Sequence, residues 1–95
     1  MPITVGHIET ANGAKYLAQL CKHFAHKIDA SYSGNHGRAA FIFGLATMTA
    51  DENGLTVHFD VTNPMDLGDA QNVIDKHLER FAFREKITGM VWQNG

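Results

Sequence analysis

The chain has 95 residues, 44% of them hydrophobic and 19% charged, with 9 glycines and 2 prolines. That is enough apolar material for one buried core, too much for a disordered segment and too little Gly or Pro for a fibrous repeat. Lys and Arg number 8 against 10 Asp and Glu, a net charge of -2, which argues against nucleic acid held mainly by overall charge.

Residues 2–9 are rich in short and β-branched side chains and read as a first strand. Thr10 and Asn12 then offer oxygen caps to a helix spanning Ala11–Lys27. In it Leu17, Leu20, Cys21 and Phe24, followed by Ile28, recur at three- and four-residue spacing and form one apolar stripe. Lys15, Gln19, Lys22 and His26 fall on the opposite side, and Tyr16, His23 and Lys27 stand at one margin of the buried face.

Residues 29–33 read as a short strand, and Ser33-Gly34-Asn35-His36-Gly37 as a reversal. Arg38–Ala50 is a long extended run whose bulky residues change phase beyond Gly44, the pattern of a strand that bulges or bends there. Asp51-Glu52-Asn53-Gly54 is a tight turn, and Leu55, Val57, Phe59 and Val61 alternate with polar residues in a strand with one wet face. Asn63-Pro64-Met65-Asp66 combines an N-cap with proline at the first helical position. The second helix carries Leu67, Ala70, Ile74, Leu78 and Phe81 on one stripe with His77 beside it, and Ile87–Trp92 forms a last strand. The order β-α-β-β-β-α-β predicts a single α+β domain over residues 1–95, a two-layer sandwich of a mainly antiparallel sheet with both helices on one face. The other sheet face, bearing His58 and Asp60 with His7 as a neighbour, is then wet or meets another protein.

A single cysteine, Cys21, closes no intramolecular disulfide and no Cys-x-x-Cys motif. No basic leader precedes an apolar run, and nothing approaches the roughly 18 apolar residues of a membrane span, so the expectation is a cytoplasmic protein. Cys21 lies on the apolar stripe and reads as a small buried hydrophobe; it diverges from His23, two residues on, so no thiolate and imidazolium pair forms.

The most unusual segment is Leu20-Cys21-Lys22-His23-Phe24-Ala25-His26-Lys27. Cations in a last helical turn are ordinary partners of the helix dipole, so a solvated basic turn is the plain reading. His23 and His26, three apart, can also offer imidazoles to one metal, but a zinc site wants three or four ligands, so His36, His77 or an acid would have to converge. The third reading is an anion patch of Lys22, His23, His26 and Lys27, aided by Arg38, Arg80 or Arg84. His77 reads as a half-buried histidine donating one hydrogen bond. No pair of carboxylates, catalytic nucleophile or phosphate-binding glycine loop emerges, so no catalytic residue is assigned. Phe83, with Met90 and Trp92, suggests an apolar surface for self-association.

The lysine and histidine helix, His36-Gly37-Arg38 with Phe41-Ile42-Phe43-Gly44, and His77-Leu78 with Arg80-Phe81-Ala82-Phe83-Arg84-Glu85 together resemble the DUF2218 family of small bacterial domains, across essentially the whole chain. The resemblance implies no activity and no cofactor. Related domains accompany siderophore-interacting, flavin reductase-like proteins, which implies an iron-related context by association and adds weight to His23 and His26 as contacts of iron, haem or a siderophore. The function expected is a non-enzymatic accessory or binding domain, a homodimer, that presents Lys22, His23, His26 and Lys27, with His36 or His77 nearby, to a small anion, a metal complex or a partner protein. The alternative is a small metal-dependent enzyme using His23 and His26 as ligands.

Overall fold

Alternation of small or apolar residues with polar ones marks most strands of the sheet. The structure, a computed structural model, describes residues 2–94. The elements in chain order are β1 (Ile3–Glu9), α1 (Gly13–Phe24), β2 (Asp29–Ser33), β3 (His36–Phe41), β4 (Gly44–Ala50), β5 (Gly54–Val61), α2 (Leu67–Phe81) and β6 (Val91–Asn94). They make one 6-stranded sheet in the order β2-β3-β4-β5-β1-β6. Every neighbouring pair is antiparallel. Both helices cover one face, as the sequence pattern predicts.

The run Arg38–Ala50, expected as one strand bent at Gly44, is instead two strands joined by a hairpin in which Phe41 pairs with Gly44 across Ile42 and Phe43. Gly44 also pairs with Val61, and a Cβ on it would collide with the Asp60 carbonyl. Only glycine lets β4 start this close to β5, so the phase change in the sequence marks a full reversal. The last strand is also shorter than expected, beginning at Val91 and not Ile87.

Leu17, Leu20, Cys21 and Phe24 of α1 and Ala70, Ile74 and Leu78 of α2 meet Ala39, Ala46, Met48, Leu55, Val57, Phe59 and Val61 of the sheet in one core. Close approach of α1 depends on Gly37, because a Cβ there would stand 2.7 Å from the Cys21 Sγ. Asn63 caps the chain ahead of α2, its side chain accepting the Met65 N–H at 3.0 Å, and Pro64 opens a short 3-10 turn, Pro64–Asp66, that runs into the helix. Among the described residues no helix is long and apolar enough to cross a membrane.

The uncovered face is ordered in rows that mix polar side chains with a few apolar ones. Arg38, Thr47, His58 and Val5 stand side by side across β3, β4, β5 and β1. His36, Thr49, Thr56 and His7 form the next row, so His7 and His58 are diagonal neighbours. His7 Nδ1 is 2.8 Å from the Thr56 Oγ1.

Candidate functional site

The apolar stripe of α1 has to end where the chain turns into β2, and that exit builds the site. Regular helix stops at Phe24, three residues short of the expected Lys27. The turn then tightens: His26 N donates to the His23 carbonyl at 3.3 Å, and the N–H groups of Lys27 and Ile28 both donate to the Phe24 carbonyl at 2.9 Å. Phe24 is thereby buried, His23 half-buried, and Lys22, His26 and Lys27 exposed.

Opposite this exit runs the middle of α2. His77 Nδ1 donates to the Val73 carbonyl one turn back at 2.7 Å, the single hydrogen bond expected of it. The acceptor is a carbonyl, so Nδ1 carries the hydrogen and in the neutral ring Nε2 is the bare lone pair. The His77 ring lies 4.5 Å from that of His23, centre to centre, and 5.1 Å from Phe24. Phe24 in turn meets Phe41 edge-on at 5.0 Å, and Phe81 approaches His23 at 6.0 Å. The rings of His23, Phe24, Phe41 and His77, with Lys27, Ile28 and Val73, wall a cleft of about 240 Å³ between the two helices and the end of β3. His77 also forms a wall of an adjoining groove of about 380 Å³ lined by Lys76, Glu79, Arg80 and Phe83.

Charge around the cleft is one-sided. Partial burial lowers the His23 pKa below the usual imidazole value, and the positive charges of His77, Lys27, His26 and Arg80 push it the same way. His23 therefore gives up its proton more readily than an ordinary imidazole, with the fixed charges of Lys27 and Arg80 near it.

The residues singled out from the sequence separate in space. His23, Lys27 and His77 share the cleft. His26 stands beside it on the exposed turn, and Lys22 projects from α1 without lining either groove. His36 is not with them: Gly37 faces α1, so strand alternation turns His36 to the uncovered face. There it shares a shallow depression with Ser31, Arg38 and Thr47, while Arg38 pairs with Asp29 at 3.3 Å. The histidine in contact with His23 is thus His77, and among the described residues no group of three or more His, Cys, Asp or Glu side chains is placed to hold a metal ion. Cys21 is buried, its pKa raised by burial, with Sγ 3.9 Å from the Met48 Sδ.

A larger groove, of about 670 Å³, opens between β1 and the segment before β6, bounded by His7, Glu9, Lys86 and Thr88. Its charged side chains, Glu9 and Lys86, are exposed and opposite in sign, so it lacks the one-sided field of the smaller cleft. Of the apolar surface expected near the C-terminus, Phe83 is exposed, but Met90 belongs to the core and Trp92 packs against it, its ring over Gly6.

Two polar assemblies went unseen in the sequence. The Glu85 carboxylate accepts from the hydroxyls of Tyr16 and Thr10 and from the Asn12 amide, which ties the start of α1 to the chain after α2. These bonds hold Glu85 below the usual carboxylate range, while burial and the adjacent carboxylate raise the Tyr16 phenol. The Asp75 carboxylate accepts from the Met90 N–H at 2.9 Å and the Trp92 indole N–H at 3.0 Å, and so pins β6 to α2. The partners lie far apart in sequence; the only hint was that a tyrosine or tryptophan packed on a core needs a partner for its polar tip.

No curated protein matches the chain. It is similar in structure to PA4090 from Pseudomonas aeruginosa, determined by NMR, with a TM-score of 0.80 and 26% sequence identity over 98% of this chain and 96% of that one. Residues 5–93 match the family described as uncharacterised protein conserved in bacteria, and the chain belongs to that family, DUF2218.

Proposed function

We propose that this is a non-enzymatic binding domain that receives a small anion, or an anionic metal complex, in the cleft between His23 and His77. The observation that carries the reading is the one-sided charge: Lys27 lines the cleft, His26 and Arg80 flank it, and each opposes a proton on His23. Ligand sites are commonly mostly apolar concavities with a few placed polar groups, and aromatic walls with one ammonium fit that description. The metal-dependent enzyme is the weaker reading, because His23 and His77 bring two imidazoles together and a catalytic metal wants a third ligand.

A buried, unpaired Cys21 fits a cytoplasmic setting. Self-association, in this reading, runs through exposed Phe83, and sedimentation of Phe83→Ser against the parent chain tests it. The binding test is titration of the ¹⁵N-labelled chain with inorganic phosphate, benzoate and, separately, Zn(II). Saturable shifts at the cleft with an anion support the reading. Stoichiometric Zn(II) binding lost in His23→Ala, with no anion response, would put the metal reading in its place.

A further inference from the structure

Resting on the anion reading above, we infer that the cleft takes a single-ring aromatic acid that also carries a ring hydroxyl. Four features of the cleft converge on that class. Its volume, about 240 Å³, lies below the usual range for drug-sized ligands and suits one ring with its substituents. Its walls are the rings of His23, Phe24, Phe41 and His77 with the aliphatic Ile28 and Val73, a surface on which a planar aromatic body gains both apolar burial and ring-to-ring contact. Lys27 is the one charged side chain among the lining residues, which calls for one anionic group, a carboxylate.

The hydroxyl follows from the tautomer of His77. Its Nδ1–H is given to the Val73 carbonyl, so the neutral ring has only an acceptor, Nε2, left to offer. His77 lines the cleft and is half-buried, and a phenolic O–H can donate to its lone pair where a ligand with only acceptors cannot. Inorganic phosphate meets Lys27 but wastes the aromatic walls, and an aliphatic acid of the same size loses the ring contacts.

The test uses the full chain and five probes: inorganic phosphate, cyclohexanecarboxylate, benzoate, salicylate and 4-hydroxybenzoate. Affinities are read from amide shifts. The expected order places at least one hydroxybenzoate about fivefold or more ahead of benzoate, and benzoate ahead of cyclohexanecarboxylate and phosphate. His77→Phe keeps an aromatic wall and removes the acceptor, so within that variant the hydroxybenzoates fall to the affinity of benzoate; Lys27→Met weakens every carboxylate probe. The amide spectrum of each variant confirms that it is folded. If phosphate and cyclohexanecarboxylate bind as well as the hydroxybenzoates, or if His77→Phe keeps the hydroxyl preference, the inference is wrong and the anion reading stands. If no probe shifts the cleft up to about 10 mM, both are wrong.

Discussion

The two ends of α1 solve opposite electrostatic problems. At its start, Thr10, Asn12 and Tyr16 converge on Glu85, a carboxylate whose hydrogen bonds are supplied from within the chain. At its end, His23, His26 and Lys27 converge with His77 and Arg80, and the field is positive. Glu79 lines the adjoining groove and not the cleft, and Asp29, next after Ile28, is paired with Arg38. A closed polar cluster serves the fold, since each member has its partner; a set of cations around an aromatic-walled space is an unfinished interaction that a ligand can complete. Stability should therefore respond to changes at the start of α1, and binding to changes at its end.

The largest effect is expected from Tyr16→Ala, which empties a buried ring site and dismantles the Glu85 cluster at once. Denaturant unfolding should show a loss of about 3–5 kcal/mol. Asp75→Ala, which leaves the Met90 N–H and the Trp92 indole N–H without their acceptor, should cost about 1–3 kcal/mol and speed hydrogen exchange in β6 before the rest of the sheet. His77→Phe should stay within about 1 kcal/mol of the parent. A loss as large as that of Tyr16→Ala would show that the cleft is a structural cluster like the other end and would erase the contrast.

The smallest effects are on pH dependence, and their signs differ between the two ends. His23 has its pKa held below the ordinary 6.5 by partial burial and by the surrounding positive charges. The unfolded chain therefore takes up that proton first, and the His23 contribution, complete above about pH 6.5, is lost as pH falls through the folded value. His23→Gln should flatten the melting temperature between pH 7.5 and 5.5. Glu85, held below the ordinary 4.5 by its hydrogen bonds with Tyr16, Asn12 and Thr10, contributes stability that is present above that value and lost in more acid solution. Tyr16→Phe should move the acid unfolding limb to higher pH. Tyr16 itself, raised above 10 by burial and Glu85, adds a loss of stability as pH rises past 10.

Local signals carried the sandwich and half of the cleft. Alternation placed Leu55, Val57, Phe59 and Val61 on one face, Asn63-Pro64 opened α2, and helical spacing set His23 and Lys27 at the margin of the buried stripe. Phe41-Ile42-Phe43 hid a hairpin because bulky apolar residues look like a continuing strand; Ile42, 99% exposed, is a turn residue whose side chain the pattern could not tell from core. His36 entered as a histidine that would have to converge on His23 and His26, yet its face depends on which neighbour meets α1, a tertiary fact. The pairing of His77 with His23, and of Tyr16 with Glu85, arises only when the helices settle on the sheet.

The most direct test of the central claim is a map of amide shifts across the ¹⁵N-labelled chain on addition of benzoate. The account predicts saturable shifts at His23, Phe24, Lys27, Ile28, Phe41, Val73 and His77, the walls of the cleft, with Thr10, Tyr16 and Glu85 unmoved. Shifts centred on His36 and Arg38, or none at all, would contradict it.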